Sequence, residues 1–311
     1  MELSSARGLK QELRLAYGPP DDRSEPGIAI GVAPGGKHGE YRVAVRVRSA
    51  ASLPPELKEE ITKKSNGEVD FRVTGPIEAR PATTPISRAP LAIGSSIGHY
   101  RSTAGTLGFF ARRAADGVSG IVSNNHVLAA EDLGAEGDEV LCPGPADRGR
   151  RPLDVIARLA GGYPRLKTKG QTADCAFARL AQGVRYDPLA LGPRQRLSPI
   201  PASIEGQRAV EKIGRTTGHT HGKITAFDLE DIDVDYSFGA TRFSGSIEVE
   251  SVDASPFTRA GDSGSLVFNA DRQPVGLVYA CSVIGGTFDN GLTYLNPIDS
   301  VLSALGVTFL S

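Results

Sequence analysis

Arg259-Ala260-Gly261-Asp262-Ser263-Gly264-Ser265-Leu266-Val267-Phe268 is a tight polar turn that runs straight into an apolar segment. A serine in such a turn can display its hydroxyl outward, and the glycines on either side let the backbone come close to a bound carbonyl. Gly-Asp-Ser-Gly therefore reads as a nucleophile turn; the competing reading is a β-turn with an ordinary serine. A serine hydroxyl is a poor nucleophile at neutral pH. The first reading thus requires a base within hydrogen-bond reach and a third group that orients the base.

The chain contains five histidines. His38 falls in a predicted hairpin loop, and His99 precedes the first strand of the C-terminal part. His126 ends the stretch Gly120-Ile121-Val122-Ser123-Asn124-Asn125-His126, an apolar strand running into a polar turn and a short helical turn, and it is the expected base. His219 and His221 are two apart, but nothing near them in sequence completes a ligand set, so both are read as loop residues and no metal is expected. For the orienting carboxylate, Asp174 stands at the mouth of an alternating strand among small residues that allow burial, and a buried carboxylate needs a partner such as a ring N–H. Asp154, before a similar short strand, is the alternative.

Working outward from the turn, residues from 91 onward form about ten short apolar runs separated by turn signals: 105–111, 120–123, 139–142, 155–159, 175–180, 210–213, 223–227, 247–252, 265–268 and 275–280. Short strands without helical patterns between them predict an all-β barrel or sandwich. The abundance of turn formers, 37 Gly and 21 Pro among 311 residues, agrees with this. Near the end, Ile298, Val301, Leu302 and Leu305 fall on one helical face, opened by Pro297 and closed by Gly306.

The first 75 residues read as a small α/β unit. Leu9, Leu13 and Leu15 are expected on one face of an opening helix, followed by strands at 27–33 and 41–47, a helix over 56–64 and a strand at 69–73. The glycine-rich loop between the first two strands lacks the pattern of a phosphate cradle and reads as a hairpin connection. Residues 76–90, with four prolines, read as an extended linker to a second domain spanning 91–311.

Charge and cysteine content exclude several classes of function. The balance of 35 basic against 36 acidic side chains gives a net charge of −1, and neither half is biased, so a nucleic-acid partner is not expected. No apolar run is long enough to cross a membrane. Three widely spaced cysteines (Cys142, Cys175, Cys281) form neither a disulfide framework nor a zinc motif. Together with charges at Lys10, Glu12 and Arg14, where a secretory signal would be apolar, they lead us to expect a cytoplasmic protein.

The order His126, Asp174, Ser263 resembles that of chymotrypsin-like serine proteases. The stretches Gly214-Arg215-Thr216-Thr217-Gly218, Pro274-Val275-Gly276-Leu277-Val278 and Thr293-Tyr294-Leu295-Asn296-Pro297 look like the bacterial, streptogrisin-like branch. The resemblance covers about residues 100–311. The N-terminal unit lies outside it, although its combination with such a domain looks similar to narrow-leaf-type trypsin-like proteins. The resemblance implies a mainly β protein with two six-stranded antiparallel barrels and a C-terminal helix. It also implies a His126-Asp174-Ser263 triad, an oxyanion hole of the Gly261 and Ser263 backbone N–H groups, and a structural role for Asp262. Phe257 stands where trypsin-type enzymes carry an acid, and Tyr279, Ala280 and Cys281 fall on the pocket-wall strand, which implies an apolar or small first-site residue. Val127 replaces the cysteine that follows the histidine in many secreted members.

The expected function is therefore a serine endopeptidase acting on protein or peptide substrates without a cofactor. The alternative is a protease-like fold retained for binding or assembly, with the N-terminal unit as regulatory, oligomerisation or partner-binding module.

Overall fold

In the computed structural model, the 13-residue strand Gly218–Glu230 links the two parts of the chain read above as separate domains. The structure describes residues 1–18, 28–37, 39–78, 90–168, 170–192 and 195–311. His38 and most of the expected linker, 79–89, lie outside the described residues. The elements before the barrels are α1 (Leu3–Tyr17), β1 (Ala29–Pro34), β2 (Tyr41–Val47), α2 (Pro55–Lys64), β3 (Val69–Val73) and β4 (Ile77–Glu78).

The first barrel contains β5 (Ser96–His99), β6 (Gly105–Thr106), β7 (Phe109–Arg113), β8 (Ser119–Ser123), the short α3 (Asn125–Leu128), β9 (Glu139–Leu141), β10 (Val155–Leu159) and β11 (Ala176–Leu180). β6 and β7 are halves of one strand interrupted at Leu107-Gly108, so six strands close in the order β5, β9, β10, β11, β8 and β7 with β6. The second barrel uses β12 (Ala209–Gly214), β13 (Gly218–Glu230), the hairpin β14 (Ile232–Tyr236) and β15 (Gly239–Phe243), β16 (Ser246–Ser251), β17 (Leu266–Phe268), β18 (Pro274–Ser282) and β19 (Leu292–Pro297). Its ring runs β12, β13, β16, β19, β18, β17 and back to β12. The chain ends in α4 (Ile298–Leu305) and β20 (Val307–Phe309), which pairs with β7 and so returns the C-terminus to the first barrel.

Two six-stranded antiparallel barrels with a closing helix agree with the fold expected from sequence. Each barrel has its own apolar core. Phe109, Ile121, Val122, Ala157 and Ala178 belong to that of the first, together with Val301 of α4, and Val210, Ile224, Val249, Val267 and Leu295 to that of the second.

The N-terminal unit continues the second barrel edge to edge. β13 pairs with β12 through its first half and with β1 through its second, at Ile30↔Glu230 and Val32↔Phe227. Two register shifts, near Ile224–Ala226 and Ala226–Leu229, let one strand serve both sheets. α1 lies on β1 and β2 with Ala6, Lys10 and Leu13 buried. Leu15, expected on that face, is 84% exposed; the helix turns its inner stripe toward positions 6, 10 and 13, because 15 is only two residues beyond 13 and helical neighbours are three or four apart. Ion pairs fasten the junction: Lys10 to Glu230 on β13, Arg14 to Asp231 just beyond it, and the buried Arg46 on β2 to both Glu248 on β16 and Asp70 on β3. Within the stretch read as linker, Ile77–Glu78 is a strand, antiparallel to β18 and parallel to β14.

Candidate active site

His126 sits on α3, a single helical turn started where β8 ends. Its Nδ1 is 2.5 Å from Asp174 Oδ2. Asp174 stands just before β11, the strand paired with β8, and this pairing brings the two loop ends together. The carboxylate is fully buried and all of its capacity is engaged: Oδ1 accepts the Asn125 N–H at 2.7 Å and the His126 N–H at 3.4 Å, while Oδ2 accepts the ring and the Tyr236 hydroxyl at 2.9 Å. A carboxylate oxygen that accepts from the ring fixes it with its N–H on Nδ1. The lone pair of His126 is then on Nε2, which is buried and has no hydrogen-bond partner among the described residues. Asp154, the alternative acid, instead accepts the Arg150 N–H at 2.7 Å.

His99 forms a second histidine–carboxylate pair, with Nε2 3.0 Å from Asp138. Its Nδ1 accepts the Arg101 N–H, so both ring nitrogens are occupied. Burial lowers its pKa, outweighing Asp138. Only His126 of the two has a nitrogen left to act as a base. His99 lies within β5, not ahead of the first strand as expected, and His219 and His221 lie on β13, not in a loop.

Ser263 is on the turn between β16 and β17, docked against the first barrel. Thr106 donates its N–H to Ser263 O at 2.8 Å and its hydroxyl to Gly261 O at 2.9 Å. Gly105 leaves the space for this approach: a Cβ there would lie 2.4 Å from the Val127 side chain and 2.9 Å from Ser263 O, so the histidine turn and the serine turn meet over one glycine. Gly264 (φ +89°) is equally constrained, its absent Cβ falling 2.0 Å from Ser123 Oγ. Along the turn, the N–H groups of Asp262, Gly264 and Ser265 are bonded to Arg259, Val278 and Asp262 carbonyls. Those of Gly261 and Ser263 make no hydrogen bond among the described residues. Two such amides flanking a serine can stabilise an oxyanion.

Asp262 points away from the histidine. Its carboxylate accepts the Thr216, Thr217 and Arg259 N–H groups and the Thr217 hydroxyl, and lies 3.6 Å from the buried Lys212 Nζ. Burial pushes the Lys212 amine down to about 8 despite Asp262. The conformation of the nucleophile turn is thus held by the β12–β13 hairpin, from which Lys212, Thr216 and Thr217 come.

Phe257, Tyr279 and Ala280, named from sequence as pocket residues, are all buried. Phe257 joins the second barrel's core with Lys212 Nζ 5.8 Å from its ring centre, and the Tyr279 hydroxyl is 2.8 Å from Ser246 Oγ. Cys281 is half-buried on β18, between Thr293 and Glu78. Burial pushes the Cys142 thiol up to about 11 and Cys175 well above its usual range, so neither supplies a thiolate at neutral pH.

Sequence reasoning missed Tyr236, which closes the alternating stretch Asp231 to Tyr236. Asp233 and Asp235 of that stretch pair with Arg242 and Arg48, while the alternate positions, Ile232, Val234 and Tyr236, are buried. It also left unexplained Asn124 and Asn296, whose side-chain amides both donate to Asp174 O, at 2.7 and 3.1 Å.

No protein-family model matches the chain, and no curated protein sequence matches it. Its fold is similar to that of Thermobifida fusca protease A, at 18% identity and TM-score 0.50 over 72% of this chain and all of that one. A glutamic acid-specific serine protease that uses a histidine triad in substrate binding is similar at 20% identity and TM-score 0.51, over 71% of this chain and 100% of that one. The Nocardiopsis protease is similar at 19% identity and TM-score 0.50, over 72% and 100%. At these identities the likeness is one of fold: the chain has the chymotrypsin-like double barrel of bacterial serine proteases.

Proposed function

We propose that the protein is a serine endopeptidase of the streptogrisin-like type working through Ser263, His126 and Asp174. The observation that carries this reading is the state of His126, tied by Nδ1 to a buried carboxylate and left with a lone pair on Nε2, at a turn that meets the Gly-Asp-Ser-Gly turn. Ser263 Oγ attacks a peptide carbonyl while His126 Nε2 takes its proton. The imidazolium then donates that proton to the leaving amine, and water repeats the cycle on the acyl-enzyme. Asp174 orients the ring and stabilises its cation. The Gly261 and Ser263 N–H groups receive the oxyanion, each worth about 10²–10³ in rate. The resemblance puts Phe257, Tyr279, Ala280 and Cys281, none of them charged, at the first-site pocket, so we take an apolar or small residue as the preferred one there, and we place the protein in the cytoplasm on its three cysteines, which form no disulfide framework.

We assign to the N-terminal unit a restraining role. β18 runs past the serine turn, with Val278 bonded to Gly264 and Ser265, and we take its edge beyond that point as the one on which an extended peptide would pair to reach Ser263. The far end of this edge, Cys281-Ser282, is covered by β4.

A fluorophosphonate probe should label the full-length protein and fail on Ser263→Ala and His126→Ala. Equal labelling of all three, with each folded by circular dichroism, would sink the endopeptidase reading and leave a binding or assembly role.

A further inference from the structure

The hairpin of β12 and β13 brings together three metal-ligating side chains that are separated in sequence. Glu211 pairs across the ladder with His221, and His219 lies two residues before it on the same strand face. Glu211 Oε2 is 2.7 Å from His219 Nε2 and 3.9 Å from His221 Nε2, the imidazole centres are 4.8 Å apart, and all three donor atoms lie within 4.8 Å of one another. Sequence alone supplied only the two histidines; the third donor arrives because Glu211 is held opposite His221 by the six-residue register.

We propose that Glu211, His219 and His221 form a binding site for a divalent transition-metal ion of the zinc class. Ligand–metal distances of 2.0–2.1 Å in a tetrahedron place donors roughly 3.3 Å apart. The two His–Glu separations bracket that value, so closure takes only small rotations of two imidazoles that are 37% and 58% exposed at the side chain, on a backbone already fixed by strand pairing. Arg272 donates to Glu211 Oε1 at 2.9 Å, which holds the carboxylate in place while Oε2 faces the imidazoles. Two imidazoles and one carboxylate oxygen suit zinc, copper or nickel and not the oxygen-seeking magnesium and calcium. Water completes the shell on the exposed side.

The ion would clamp the strand pair whose turn holds Asp262 through Lys212 and Thr217, yet the site itself does not depend on the protein being a hydrolase. Isothermal titration of the full-length Ser263→Ala protein with zinc chloride should give one site per chain, and magnesium chloride none. His219→Ala and His221→Ala should each weaken zinc binding at least tenfold and Glu211→Gln to a lesser degree, while His126→Ala leaves it unchanged. Cobalt(II) added in place of zinc should give the intense visible absorption of a four-coordinate site. Zinc binding that survives the His219→Ala/His221→Ala pair, or is lost with His126→Ala, overturns the proposal. So does the absence of zinc binding to a folded protein.

Discussion

At Asp174 one carboxylate oxygen serves two donors, the His126 ring and the Tyr236 hydroxyl. Burial, reinforced by Asp174, raises the Tyr236 pKa well above its ordinary value, so the phenol remains a donor over the whole working range. A hydrogen bond to a charged group contributes about 1.5–3 kcal/mol. Tyr236→Phe is accordingly expected to lower kcat/KM at least about tenfold with KM nearly constant, since tenfold corresponds to about 1.4 kcal/mol; full turnover in a folded variant would remove Tyr236 from the positioning set. Lys212 gives a pH-dependent prediction at the same scale. Its folded-state pKa of about 8 lies below its ordinary 10.5, so between those values the unfolded chain binds more protons and stability rises with pH; below about 8 both states are protonated and the contribution is constant. The unfolding free energy of the wild type should therefore gain about 1–2 kcal/mol on Lys212→Met between pH 7.5 and 9.5 in urea titrations. A pH-independent difference would show that the amine titrates normally. His126, Asp174 and Ser263 could be named as candidates from sequence because each stands at a strand end beside small or turn-forming residues. Tyr236, Asn124 and Asn296 were not, because their meaning lies in a partner 50 to 122 residues away.

Among the elements, the nucleophile turn is the most tightly specified. Gly264 combines a positive φ with Ser123 Oγ and Thr106 O crowding the place of its Cβ at 2.0 and 2.4 Å. Gly264→Ala is expected to cost about 2–4 kcal/mol, the sum of left-handed strain and overpacking against backbone, and to lower Tm by several degrees; a calorimetric scan at unchanged Tm would contradict the close approach. Element legibility followed the same logic. The helix Ile298–Leu305 matched the sequence pattern because its burial is one-sided, at Ile298, Val301 and Leu305, and the strands Tyr41–Val47, Val69–Val73 and Val155–Leu159 matched because each is a short run with β-branched residues between turn signals. The strand expected over 223–227 extends to Gly218–Glu230, because its first residues are exposed and polar and are strand only through pairing with β12.

For the molecule as a whole, β13 and the arginines at the junction make the N-terminal unit part of the second barrel's sheet. Its strand β4 then reaches the edge of β18, held there by Ile77, which is buried beside Tyr279 and Leu292. If β4 restrains access, Ile77→Asp, which puts a charge into that apolar seat, should raise the rate of fluorophosphonate labelling several-fold, and Ile77→Val should leave it unchanged. Equal rates for the two folded variants would mean that the strap only braces the sheet. By itself the sequence determined a mainly β protein with a Gly-Asp-Ser-Gly turn preceded by one candidate histidine and two candidate acids, since turn chemistry and alternation are local properties. Only the tertiary structure decided that Asp174 rather than Asp154 meets His126, that both ring nitrogens of His99 are bonded and one of His126 is not, that Glu211 joins two histidines, and that β1, β2 and β3 extend the second barrel's sheet. Each of these is a contact across the chain, set by strand register and burial, which no local pattern encodes.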